Sequence, residues 1–161
     1  MDVAADGDSR DVWFACWGGA EPEYNKLSRV DPEANRMVAE VPIAEQARYG
    51  GPQGVAVGGG AVWAQGARGG LFKVDPATNE VVAERDLGGD STSDLAAYGG
   101  AVWIAAQVSV GTRLYRVDPR TARIVASEHG PDPSEGGYGW LVAGGGYVWF
   151  SSGDGLARVA P

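Results

Sequence analysis

The 161-residue chain sets 13 Lys and Arg against 21 Asp and Glu, a formal net charge of −8, with 44% hydrophobic and 21% charged residues. That balance suits one globular domain with a real core. It argues against nucleic acid as a partner, because phosphate binding calls for clustered basic residues and these are scattered. No apolar run approaches the roughly 20 residues of a membrane-spanning helix. The opening "MDVAADGDSRDVWF" has neither the basic nor the apolar region of a signal peptide. With Met1 as the true start the chain belongs in the cytoplasm; as part of a longer exported chain it belongs outside.

In chain order, the first predicted strand starts at Val3 in "VAADGDSRDVWFA", and a turn joins it to a second strand carrying Trp13. The loop "ACWGGAEPEYNK" leads to a third strand, "LSRV" from Leu27. Asp31-Pro32 then starts a turn, because Pro presets φ and the Asp carboxylate can cap nearby amides. A fourth strand, "RMVAE", follows. The lone Cys16 has no second thiol for a disulfide and no neighbouring His for a nucleophile, so it reads as a packed or half-exposed free thiol.

The same order then returns. "VAVGGGAVWAQ" from Val55, "LAAYGGAVWIA" from Leu95 and "LVAGGGYVWFS" from Leu141 repeat the first two strands. "LFKVDPATNEVVAE" from Leu71 and "LYRVDPRTARIVAS" from Leu114 repeat the second two, and "LARVAP" starts them once more before Pro161. The Val residues of these motifs, Val30, Val74, Val117 and Val159, are spaced 44, 43 and 42 residues apart. Glycine pairs and triplets fill the first turn, where positive φ carries no Cβ clash.

Four short antiparallel strands per unit of about 40–45 residues is the period of a β-propeller blade. The predicted fold is therefore all-β: one partial propeller domain over 1–161, with units at roughly 1–43, 44–87, 88–130 and 131–161, about 3.75 blades. Trp13, Trp63, Trp103 and Trp149 hold one place in the second strands, where a large flat side chain fills the space between neighbouring blades.

The stretch "GPQGVAVGGGAVWAQ…GGLFKVDPATNEVVAE" resembles the repeat of the streptogramin lyase-like (virginiamycin B lyase-like) and YVTN-type propellers, and the match spans all four units. The resemblance implies a propeller, in a superfamily holding binding and scaffold proteins beside a lyase. For a lyase it implies a histidine acid–base, carboxylates and bound Mg²⁺. This chain has one histidine, His129, expected at the end of an outermost strand, so it departs from that pattern.

An open arc would bare an apolar blade face at each end. Three arrangements answer that: the remaining blades of a longer chain, a homodimer closing one ring head to tail, or an unusually small closed propeller.

Turns within the strand pairs share one plain face, while the longer, variable loops share the other, where function is expected. Subtracting the repeat leaves Trp17, Tyr24, Tyr49, Tyr138 and Trp140 as loop aromatics. Trp140 stands just before an inner strand, where the other units have Asp2, Gly54 and Asp94, positions expected at the channel mouth. The candidate ligand-binding residues are thus Trp17, Tyr49, Asp94, Tyr138 and Trp140, since aromatics and a carboxylate at a concave mouth suit a small molecule, glycan or peptide. No catalytic residue or metal ligand is singled out, and the loop acids Asp132, Glu135 and Asp154 match no Ca²⁺ loop. Two functions follow. The first is a non-catalytic scaffold that needs no cofactor and binds a small molecule, glycan or protein. The second is a fragment of a streptogramin lyase-like enzyme, for which alone Mg²⁺ is expected.

Overall fold

Successive side chains turn to opposite faces of a strand, and the runs "AVWAQG" and "AVWIAA" are buried at every position, so both of their faces meet a neighbouring layer. The computed structural model describes residues 2–5, 11–17, 24–43, 50–88, 91–109, 111–130, 139–152 and 155–161, with the backbone alone at 91–93 and 152. These residues form four antiparallel sheets and no α-helix. Sheet 1 holds β1 (Asp2–Ala5), β2 (Val12–Cys16), β3 (Lys26–Asp31) and β4 (Arg36–Pro42). Sheet 2 holds β5 (Pro52–Gly58), β6 (Ala61–Gly66), β7 (Gly70–Asp75) and β8 (Glu80–Asp86). Sheet 3 holds β9 (Ser91–Tyr98), β10 (Ala101–Gln107), β11 (Thr112–Asp118) and β12 (Arg123–His129). Sheet 4 holds β13 (Leu141–Gly144), β14 (Tyr147–Ser152) and β15 (Gly155–Val159). Each sheet is a meander in sequence order, and the inner strands β1, β5, β9 and β13 lie side by side. This is a partial propeller of about 3.75 blades.

The turns work as their residues require. Asp31 Oδ1 accepts the Glu33 and Ala34 amides at 2.9 and 3.1 Å, Asp75 Oδ1 accepts the Ala77 amide at 2.8 Å, and Asp118 Oδ1 accepts the Arg120 amide at 2.8 Å. The Arg120 amide, with the hydroxyl and amide of Thr121, holds the Asp118 carboxyl below the usual range. Each turn ends in the left-handed region, at Asn35, Asn79 and Ala122, with φ of 47°, 58° and 53°. The step from third to fourth strand carries the same bulge in three sheets, after Arg29, Lys73 and Arg116.

Three apolar clusters weld the sheets in order. Trp13, Ala15 and Leu27 of sheet 1 meet Val55, Val62 and Phe72 of sheet 2. Trp63 and Leu71 of sheet 2 meet Leu95, Val102 and Ile104 of sheet 3. Trp103 and Leu114 of sheet 3 meet Leu141, Val148 and Phe150 of sheet 4. Among the described residues no such cluster joins sheet 4 to sheet 1, so the series is open.

One tryptophan therefore departs from the expectation of an interblade filler. Trp13, Trp63 and Trp103 are buried against the next sheet, whereas Trp149 has no sheet beyond it and is half-buried. Leu27, Leu71 and Leu114 are 0, 1 and 2% exposed, and their counterpart Leu156 is 68% exposed. At the other end Val3 is 56% exposed, while Val55, Leu95 and Leu141 in its place are 3, 5 and 6% exposed.

Candidate functional site

The inner strands open on the loop-rich side, where the chain places a carboxylate just before the apolar run in sheets 1 and 3. Asp94 precedes Leu95 on β9 and uses both carboxylate oxygens. Its Oδ1 accepts the Leu95 amide at 2.9 Å, and its Oδ2 accepts the Leu141 amide of sheet 4 at 2.8 Å. Asp2 does the same two interfaces earlier: the Val3 amide donates to its Oδ1 at 2.8 Å and the Val55 amide of sheet 2 to its Oδ2 at 2.9 Å. Both carboxylates are clasps between sheets. Burial pushes the Asp94 carboxyl above the usual aspartate range, the two amide bonds oppose that rise, and the charge of Asp2 adds to it.

Where sheet 2 would carry the same clasp it has Gly54, and a Cβ there would run into Gln65 and Leu95. Gln65 is fully buried, and its Oε1 meets no hydrogen-bond partner among the described residues. Sequence reasoning passed over Gln65, although it breaks the repeat: its counterparts one sheet before and after are Ala15 and Ala105.

In sheet 4 the position belongs to Trp140, the most exposed large apolar side chain among the described residues. Its backbone is fixed while its indole is free: the amide donates to Ser151 Oγ at 3.0 Å and the carbonyl accepts the Ser151 amide at 3.0 Å. Trp140 and Asp94 border one open hollow of about 290 Å³, floored by Val142, Trp149, Phe150 and Leu156. The structure thus brings these two predicted site residues together. Trp17 does not join them. It follows β2, is exposed, and lies along Gly51 and Asn25, where the loop ends of sheets 1 and 2 meet. Tyr49 and Tyr138 lie outside the described residues, as do Asp132, Glu135 and Asp154. A larger hollow, about 370 Å³, lies at the outer rim between β4 and β8, lined by Pro42, Phe72 and Val82 among others, away from the mouth.

His129 ends β12, the outermost strand of sheet 3, where it is exposed and its Nε2 sits 2.8 Å from Arg113 Nη2. Cys16 is half-buried with Sγ 3.7 Å from Ser28 Oγ. Among the described residues no three His, Cys, Asp or Glu side chains converge. Mg²⁺ takes a near-octahedral set of oxygens. The two carboxylates that open inner strands already hold two amides each, so the described residues do not fit that ion. No helix is long and apolar enough to cross a membrane among the described residues.

No known family model matches the chain, and no curated protein matches it either. Solved structures do. BamB from Moraxella catarrhalis aligns with a TM-score of 0.65 at 17% identity, over 98% of this chain and 45% of that one. Sqt1 from Saccharomyces cerevisiae aligns with a TM-score of 0.70 at 11% identity, over 99% of this chain and 45% of that one. The chain therefore spans less than half the length of either. At such low identity the likeness carries the architecture alone, and the architecture is a propeller-type repeat fold.

Proposed function

We propose that the chain is a non-catalytic propeller scaffold that binds a small molecule, glycan or protein partner on its loop-rich face. The observation that carries this reading is Trp140. A bare indole on a hydrogen-bonded backbone, at the edge of a concave surface, offers a stacking platform with little ordering cost. Asp94 and the backbone around the mouth supply nearby polar edges. Propeller neighbours support a scaffold or interaction role in general, and a fold hosts many functions.

The test is intrinsic tryptophan fluorescence titrated with a panel of soluble oligosaccharides, aromatic small molecules and peptides. A saturable change in the native chain that is lost in Trp140→Ala supports the mouth as the site. A ligand that binds Trp140→Ala with unchanged affinity removes it. The lyase alternative finds no histidine at the mouth among the described residues, because His129 lies on an outer strand. Ring opening of a streptogramin by the purified chain would reinstate that alternative.

A further inference from the structure

Each of the first three sheets buries one face against the leading face of the sheet that follows it. Among the described residues no apolar cluster covers the same face of sheet 4 or the leading face of sheet 1. We propose that a second copy of the chain seats its sheet 1 on sheet 4, head to tail, so that two copies close one ring through two identical junctions. This goes beyond the ligand reading and does not rest on it; the second copy would cover Val142, Trp149 and Leu156, the floor of the hollow that Trp140 borders.

The two bare faces are halves of a junction the chain already makes three times. The departing half is Trp149 with Leu156 and Val142; its counterparts at the sheet 3 junction are the buried Trp103 and Leu114 and the half-buried Ala96. The arriving half is Val3, Val12 and Phe14, whose counterparts Leu141, Val148 and Phe150 are all buried. Exposed aliphatic groups beside half-buried aromatics, in the register of a buried interface, mark a surface built for a partner of the same kind.

Polar groups repeat the match. In every sheet a cation from the third strand lies over the repeated tryptophan: Arg29, Lys73, Arg116 and Arg158 stand 5.5, 5.7, 5.5 and 5.6 Å from the ring centres. Two of them reach on to the next sheet, Arg29 to the Pro76 carbonyl at 2.6 Å and Lys73 to the Pro119 carbonyl at 2.7 Å. Arg158 is held in the same pose, with Tyr147 also beneath it at 4.4 Å, but faces no following turn. The proline that completes the series is Pro32, which is exposed where Pro76 and Pro119 are half-buried.

The same proline has a seat. Pro119 lies against the glycine turn of sheet 2, so close that a Cβ on Gly59 would stand 2.5 Å from it, and Pro161 presses likewise on Gly99. Gly145 holds that place in sheet 4 at φ +61°, with nothing within 4 Å. One residue of a second copy, Pro32, thus answers both Arg158 and Gly145. Four sheets from each copy make a ring of eight, within the range that propellers close. The two solved neighbours, of which this chain covers 45%, are each a little over twice its length.

Sedimentation velocity on the purified 161-residue chain tests this, with a compact dimer expected. Leu156→Glu and Val3→Glu, both at surfaces exposed in the single chain, should each weaken the dimer by about 30-fold or more, the size of an interface hot spot. A cross-link fixes the register. A Cβ on Gly58 would press on Ala97, so the matching pair across the junction is Gly144 and Ala5. In a Cys16→Ser background, Gly144→Cys with Ala5→Cys should give a disulfide-linked dimer on mild oxidation, and neither alone should. A monomer at all concentrations, an open polymer, a dimer indifferent to Val3→Glu, or covalent dimers from one cysteine alone would each overturn the proposal.

Discussion

Leu114 and Leu156 hold one register position in consecutive sheets, yet the first is sealed and the second stands in solvent. Trp103 and Trp149 differ in the same sense, and so, at the other end, do Leu95 and Val3. Nothing within the strands accounts for this. Both leucines follow the same pattern, both tryptophans return their indole N–H to the turn five residues back, at 3.2 Å to the Tyr98 carbonyl and 3.3 Å to the Gly144 carbonyl. Burial in this fold is conferred by the neighbouring sheet. Local structure and stability are consequently separable: a blade keeps its shape at the end of the series while losing the packing that stabilises it.

The widest gap between interior and terminal sheets is expected at the tryptophans. Trp63→Ala should lower unfolding free energy by about 3–5 kcal/mol, as large aromatic deletions from cores do. Trp149→Ala in dilute solution, where no second copy covers it, should cost far less. Equal shifts in urea midpoint for the two would collapse the comparison.

Leucine gives the next largest contrast. Leu71→Ala should cost about 2–5 kcal/mol, while Leu156→Ala should fall within about 0.5 kcal/mol of the parent, as surface changes do. Repeating Leu156→Ala at rising protein concentration sharpens the point, since a cost that grows with concentration reports a partner and one that stays flat reports none.

A smaller effect belongs to the clasp. Asp94→Ala strands the Leu141 amide, and an unsatisfied buried group costs about 1–3 kcal/mol. Faster hydrogen exchange should follow at Leu141 and through sheet 4, with sheets 1 and 2 unchanged. Uniform acceleration across all four sheets would show that the junctions open together and not one by one.

Acid–base behaviour supplies the finest test. The Asp94 carboxyl is raised, so the folded chain keeps its proton longer than the unfolded chain does. The stability this contributes is complete below the ordinary aspartate value, about 3.9, and is lost as pH climbs through the raised value. Asp94→Asn should flatten that part of the pH profile. Asp2→Asn should bring the Asp94 titration down, by NMR, because the Asp2 charge contributes to the rise. An Asp94 titration at or below the ordinary value would show that the two amides outweigh burial.

The fold was legible because it is written repeatedly. Glycine turns, Asp-Pro turns and the Val-Trp strand recur at one spacing, and each has a physical reason to sit where it does. The site was legible only in part. Subtracting the repeat picks out Trp140, since no packing demand accounts for an indole there. It also picks out Asp94, but a carboxylate before an inner strand reads alike whether it faces a ligand or a neighbour's amide. Only the Leu141 contact at 2.8 Å assigns it to the junction. Gln65 was missed because an amide in a strand of small residues carries no motif; its meaning rests on the space left by Gly54. The partial exposure of Trp149 follows the expectation that an open arc bares an apolar face at its end; the repeated position of the tryptophan taken by itself hid it.

The seating of proline on glycine from one sheet to the next has a consequence for descent. Pro119 on Gly59 and Pro161 on Gly99 place both halves of a junction within a single unit of sequence. A gene that copies one such unit in tandem inherits a working joint with no new mutation, and a deletion of one unit rejoins surfaces that already fit. Length in such a lineage changes in whole steps of about forty residues, so the lineage can lengthen or shorten while its turns and strands stay as they are.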